Sequence, residues 1–146
     1  SLLYRVLTVE ERIAAAIGAQ YMGSALDDTR FFLYALPAPG VTLDALEKAV
    51  DRVIAQFLVE GVDEPTLERA KTRLIADAIY AQDSQAMLAR WYGASLSTGL
   101  GIDDVKQWPA RIEAVDAAAV RAAAKKHLDA RKAVSGFLLP EEKAAA

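Results

Sequence analysis

Two spacings of apolar residues divide the chain into strand-like and helix-like stretches. Positions 1–9 are apolar at helical spacing and predict the end of a helix, whereas 13–22 and 29–36 read as strands. In 13–22, the odd-numbered residues would share one face, and the small even-numbered residues would face a helix. The loop Gly23–Asp28 joins the two strands and predicts an antiparallel hairpin.

Residues that favour helix ends mark the boundaries of the helices that follow. Thr42 predicts a cap, an apolar stripe follows every three or four residues, and Gly61 predicts the stop. Asp63 predicts the next cap, with Pro65 in the first turn of the helix.

The rest of the chain reads as further helices and a last strand. A helix over 64–98 would be about 50 Å long, which exceeds a compact domain, so a break is expected near Asp83 and Ser84. Pro109 interrupts a short helix, and Asp116 predicts the cap of an alanine-rich one. Residues 132–140 predict the last strand.

This order of elements predicts an α+β fold with two layers, in which a mainly antiparallel sheet packs on helices on one face. One domain is expected over 1–140, truncated at its start, with a frayed tail over 141–146. Three strands make a thin sheet. We therefore expect the first strand to be buried by residues outside Ser1–Ala146, supplied by upstream strands, by another chain, or by a second copy in a homodimer.

Composition narrows the classes of function. The chain is 53% hydrophobic and 25% charged, with a net charge of −3, and it has no basic patch interleaved with aromatic residues, so nucleic acid is not an expected partner. The absence of cysteine excludes disulfides, cysteine-bound metals and thiol nucleophiles. It is compatible with a periplasmic or secreted protein, although the compartment stays open. No apolar run has the length of a membrane span.

Few residues carry candidate chemistry. The single histidine, His127, cannot form a catalytic zinc site, which needs about three protein ligands. Adjacent carboxylates occur only at predicted helix ends, turns and the tail, where solvation explains them. Arg90, Trp91 and Tyr92 could hold a small molecule; the alternative is that an aromatic ring packs in the core while Arg90 lies on the surface.

Three stretches in order resemble the pitrilysin/insulinase-type zinc peptidases, a family that includes mitochondrial processing peptidase and many bacterial two-part peptidases. "SLLYRVLTVEERIAAAIGAQY" is similar to the family's S-x-L-x-x-x-L followed by a strand. "GVDEPTLERAKTRLIAD" resembles its G-V-[TS]-x-x-E-L-x-x-A-K-x-x-L run, and "DDVKQWPARIEAVDAAAVRAAAKKHLD" its approach to the final strand. Leu67, Ala70, Lys71 and Leu74 are in register with the second run, whereas Glu64 lies two positions before the run's glutamate.

The resemblance implies a half-domain of a peptidase chamber. In such proteins one partner carries an H-x-x-E-H helix, whose histidines bind zinc and whose glutamate activates water. This chain has no H-x-x-E-H. The resemblance therefore implies a non-catalytic domain that binds no metal or other cofactor itself. It would close the chamber on an extended peptide by strand addition, while zinc sits in a catalytic domain of the same polypeptide or of a partner chain.

The resemblance also points to substrate-contact positions. The family's L-R-x-x-x-x-x-G-Y places Thr8 at the arginine, Ala14 at the glycine and Ala15 at the tyrosine, so both functional side chains are missing. Arg12 and Tyr21 lie nearby and are the candidate substrate-binding residues; the alternatives are an arginine that merely lies at the end of a strand and a tyrosine packed in the core. No catalytic or metal-binding residue is expected. A structural or assembly protein on the same fold is the second interpretation, and a small-molecule-binding α+β domain is the third.

Overall fold

The computed structural model describes residues 1–139, in which a β-hairpin and a layer of helices follow a short helical start. Helix α1 (Leu2–Tyr4) continues as a π-helical turn, Arg5–Glu10. This confirms the helical start predicted for positions 1–9. The later helices are α2 (Leu43–Glu60), α3 (Glu64–Ala81), α4 (Gln85–Ser97), α5 (Ile102–Lys106), α6 (Trp108–Glu113) and α7 (Ala117–His127).

Strands β1 (Ala14–Met22) and β2 (Arg30–Pro37) form the predicted antiparallel hairpin. A bulge lies between Ala14 and Ala16, where β1 carries one more residue than β2. The bulge shifts the alternation of the strand, so Ala14 and Ile17 are both buried. The predicted separation of odd and even positions is therefore wrong at the start of β1.

The main core lies between the helical start, β1 and α2. It consists of side chains that are almost entirely removed from solvent: Leu7, Ala14, Ile17, Leu46 and Val53. Burial of each large aliphatic side chain favours folding by about 1.5–3 kcal/mol, which makes this cluster the main support of the hairpin.

The predicted helix ends are confirmed by hydrogen bonds. Thr42 Oγ1 accepts from Ala45 N at 3.2 Å, and Asp63 Oδ1 accepts from Thr66 N at 2.8 Å. Gly61 ends α2 with φ of 80°, a left-handed conformation that glycine adopts at low cost.

The predicted break in the long helical stretch is also confirmed. Helix α3 ends at Ala81, and Ser84 caps α4 by accepting a hydrogen bond from Met87 N at 3.3 Å. Helices α5 and α6 meet at Gln107, and Asp116 caps α7. Helix α6 packs on α3, and α5 packs on α4, which gives the layer of helices.

The last predicted strand, 132–140, is wrong over the residues described. A 3₁₀ turn covers Ala130–Lys132, and 133–139 has no regular structure, with Val134 98% exposed. A strand needs backbone partners on a neighbouring strand, and the sheet within residues 1–139 is the β1–β2 hairpin alone. The end of this prediction, at Pro140, and the predicted tail lie outside the described residues. The fold class is α+β, as predicted.

Candidate functional site

Arg12 lies at the junction between the π-helical turn and β1. Its φ is 56°, the left-handed region, which costs a non-glycine residue about 1–2 kcal/mol. Two backbone hydrogen bonds flank it: Glu11 N donates to Val6 O at 2.8 Å, and Ile13 N donates to Leu7 O at 3.0 Å. These bonds impose the conformation and leave the Arg12 side chain exposed.

An ion pair that the sequence did not reveal ties this junction to α2. Arg52 Nη2 donates to both carboxylate oxygens of Glu11, at 2.6 and 2.8 Å. The two residues are 41 positions apart, so no local pattern indicates the contact. Arg52 therefore anchors Glu11, the residue that precedes Arg12, while the Arg12 side chain itself stays exposed.

Tyr21 lies near the other end of β1. Its side chain is 64% exposed, and its hydroxyl donates to Thr29 Oγ1 across the hairpin at 3.2 Å. The alternative of a core tyrosine is therefore wrong. The strand from Ala14 to Tyr21 measures about 23 Å at about 3.3 Å per residue, so Arg12 and Tyr21 do not meet in one pocket.

The residues at the positions aligned with the family's arginine and tyrosine cannot make the contacts of those two side chains. The Thr8 hydroxyl is buried and makes no hydrogen bond within residues 1–139. Ala14 is buried against the core, and Ala15 is exposed.

The single histidine lies on the surface in the last turn of α7. Its neighbours Lys125 and Lys126 share that turn, where positive charge is favourable to the helix dipole. Among residues 1–139, no three or more histidine, cysteine, aspartate or glutamate side chains cluster as metal ligands. None of the helices described there combines the length and apolar character that crossing a bilayer requires.

In the aromatic stretch of α4, Trp91 and Tyr92 are half-buried, and neither ring is part of the core. The Trp91 ring contacts the Trp108 ring edge to face, with centroids 6.0 Å apart and planes at 87°. Arg90 is exposed. The two tryptophans are 17 residues apart in sequence, so no local pattern indicates this contact.

The aspartates whose pKa is lowered lie at helix ends and turns and do not form a reactive centre. The Gly101 backbone N–H and then the Arg111 guanidinium lower the pKa of Asp104, at 2.8 and 2.7 Å from its carboxylate oxygens. Hydrogen bonding by the Arg131 side chain and then its backbone N–H lowers the pKa of Asp129. Each group caps a helix or turn, and none of them converges with another on a cleft.

The family-like run in α3 is only partly a packing motif, because Ala70 and Leu74 are exposed. Leu67 is buried, and the Lys71 side chain is 12% exposed because it folds back to donate to Glu68 Oε1 at 2.8 Å. That hydrogen bond raises the pKa of Lys71. Leu67 packs in the helical layer, whereas the Lys71–Glu68 contact lies within α3 itself.

The chain superposes on several solved structures, two of which come from bacterial proteins. No protein-family model and no curated protein sequence matches the chain. A putative zinc protease from Bordetella pertussis Tohama I superposes with a TM-score of 0.81 at 17% identity, covering 97% of this chain and 77% of that one. A protease from Helicobacter pylori superposes with a TM-score of 0.78 at 18% identity, covering 88% of this chain and 30% of that one.

The chain has a zinc-protease-like fold. Identities of 17% and 18% show the fold alone. The chain spans 30% of the length of the Helicobacter pylori protease, so the activity of a longer protein is a matter for proposal.

Proposed function

We propose that this chain is a non-catalytic domain of a zinc metallopeptidase, which helps to close a peptide-binding chamber around a catalytic H-x-x-E-H domain. The observation that carries the proposal is the fold shared with the Bordetella pertussis protein over 97% of the chain. It is joined by the presence of one histidine, which stands exposed at the end of α7.

The catalytic work falls to the other domain. Catalytic zinc takes about three protein ligands and a glutamate that activates water. A single surface histidine, His127, provides neither. The zinc and the water-activating group therefore belong to an H-x-x-E-H domain, on the same polypeptide or on a partner chain.

The hairpin offers this domain a way to hold an extended peptide. Within residues 1–139, each hairpin strand pairs on one side, so β1 and β2 each keep an edge that can accept a further strand. Arg12 and Tyr21 stand at the two ends of β1. An added peptide strand of about ten residues would run past both side chains, which is compatible with substrate contacts at separate points rather than in one pocket.

The first experiment identifies the catalytic partner. The native protein is isolated from its source cells and analysed by intact and peptide mass spectrometry. The proposal expects an H-x-x-E-H sequence on the same polypeptide or on a stoichiometric partner, and zinc-dependent cleavage of an unstructured peptide by the intact assembly. An assembly without that sequence would refute the proposal.

A second measurement tests the substrate contacts. In the intact assembly, Arg12→Ala should lower kcat/KM by about fivefold, equivalent to about 1 kcal/mol of lost binding, mainly by raising KM. Arg73→Ala removes an exposed arginine of α3 and is the matched control. Equal kinetics for the two variants would remove Arg12 from the substrate path while leaving the fold and the chamber role untouched.

A structural or assembly protein on the same fold is the second candidate. It is favoured by Thr8 and Ala15, which stand where the resemblance places a substrate-binding arginine and tyrosine. This candidate predicts stable association with partners and no change in peptide hydrolysis when the chain is removed. The same isolation experiment separates the candidates, because an assembly lacking H-x-x-E-H supports only this one.

A further inference from the structure

A small groove on the helical layer lies apart from the hairpin. Its volume is about 300 Å³. Helix α3 contributes one wall, α4 contributes Trp91 and α6 contributes Trp108. The residues that line it are Leu74, Asp77, Ala78, Ala81, Trp91 and Trp108. The groove is therefore apolar and aromatic, with a single carboxylate.

The two indoles give the groove its chemical character. They meet edge to face, at 6.0 Å and 87°, and both rings are half-buried. In such a pair, the ring that presents its edge keeps its own faces free of its partner. The face of an indole is electron-rich and attracts cations more strongly than that of any other side chain.

Asp77 supplies a negative charge that no other side chain neutralises within residues 1–139. The ion pairs of those residues do not include it. Arg73 lies one helical turn earlier on α3 without pairing to Asp77, and Asp77 is exposed. A carboxylate beside two indoles is complementary to an organic cation with an apolar stem.

We propose that this groove binds the guanidinium group of an arginine side chain from a protein partner. A planar guanidinium can stack on an indole and form two parallel hydrogen bonds to the Asp77 carboxylate at the same time. Its aliphatic stem would lie against Leu74 and Ala78. The volume is at the lower limit for small-molecule sites and suits one long side chain.

This site differs from the one that the sequence alone suggested. Trp91 is common to both, but neither Arg90 nor Tyr92 lines the groove. It also differs from the positions proposed to contact a peptide substrate, since Arg12 and Tyr21 belong to the hairpin layer. The inference does not depend on the proposed peptidase role.

The chain carries its own reporter for this site. Its two tryptophans are the two that line the groove, so intrinsic tryptophan emission reports on the groove alone. The protein is titrated with N-acetyl-arginine amide and, at the same ionic strength, with N-acetyl-citrulline amide, a neutral compound of nearly the same shape. We expect a saturable change in emission with the arginine amide and about fivefold weaker binding of the citrulline amide.

Two variants locate the charge. Asp77→Asn should weaken binding of the arginine amide by about fivefold, whereas Asp51→Asn, at an exposed aspartate of α2, should leave it unchanged. Equal binding of the arginine and citrulline amides by the unmodified protein would overturn the proposal without any variant. Equal losses in the two variants would also overturn it, because they would indicate attraction by net charge.

Discussion

Leu7 allows a direct test of how the helical start holds the hairpin. It lies in the π-helical turn, its side chain is 0% exposed, and it packs in one cluster with β1 and α2. Leu7→Ala removes the atoms through which three elements meet. We expect this change to destabilise the protein more than a typical single substitution does.

The magnitude follows from the loss of buried carbon. Leucine exceeds alanine by three carbon atoms, worth about 2.4 kcal/mol at about 0.8 kcal/mol each. A residual cavity of about 50 Å³ would add about 1.2 kcal/mol. The expected decrease in the free energy of unfolding is therefore about 3.5 kcal/mol, which lowers Tm by roughly 7–14 °C in a chain of this size.

Leu26→Ala provides the matched control, because it makes the same chemical change at a side chain that is 85% exposed in the hairpin loop. It should alter stability by less than about 0.5 kcal/mol. Urea unfolding followed by circular dichroism measures both variants, with the slope of the transition checked for constancy. A Leu7→Ala protein within about 0.5 kcal/mol of the control would refute the reasoning that this cluster supports the hairpin.

Two further predictions concern the helices. Gly61→Ala should destabilise the protein by about 1 kcal/mol, because alanine is strained at φ of 80°. Gly93→Ala, inside α4 with open space around the new methyl group, should stabilise it by about 0.5–1 kcal/mol, so the two variants should shift Tm in opposite directions. Hydrogen bonding by the Thr66 side chain and then its backbone N–H lowers the pKa of Asp63 below 3.8. The ionised cap therefore stabilises the fold above pH 3.8, and this stabilisation is lost as the pH falls through the lowered pKa. The difference in urea midpoint between the unmodified protein and Asp63→Asn should accordingly be constant above about pH 5 and shrink below 3.8, and a difference independent of pH would contradict the assignment.

The parts of the fold that were predictable from sequence are those set by near neighbours. The caps at Thr42, Asp63 and Asp116 each accept a hydrogen bond from a backbone N–H three residues later, so residue type and position suffice to indicate them. The break before α4 was predictable from a different local limit, the length of a helix that a compact domain can hold.

The parts that were not predictable depend on distant residues. The bulge in β1 is defined by its register with β2, and the Arg52–Glu11 pair joins residues 41 positions apart. The groove depends on Trp91 and Trp108 arriving from two helices onto a third. The predicted strand is absent over 132–139 for the same reason, because an apolar, β-prone segment becomes a strand only when another strand presents its edge.

The run "GVDEPTLERAKTRLIAD" shows that the resemblance to zinc peptidases supports a conclusion about the fold but not one about the chemistry. Its recognisable residues act within the fold: Gly61 ends a helix, Leu67 is buried, and Lys71 is held by Glu68. Residues with such structural roles can be shared by proteins that differ in chemistry. Function must then be tested at side chains that packing does not require, and in this chain those are Arg12, whose strained backbone leaves its charge exposed, and Asp77, which stands beside two indoles without a cation.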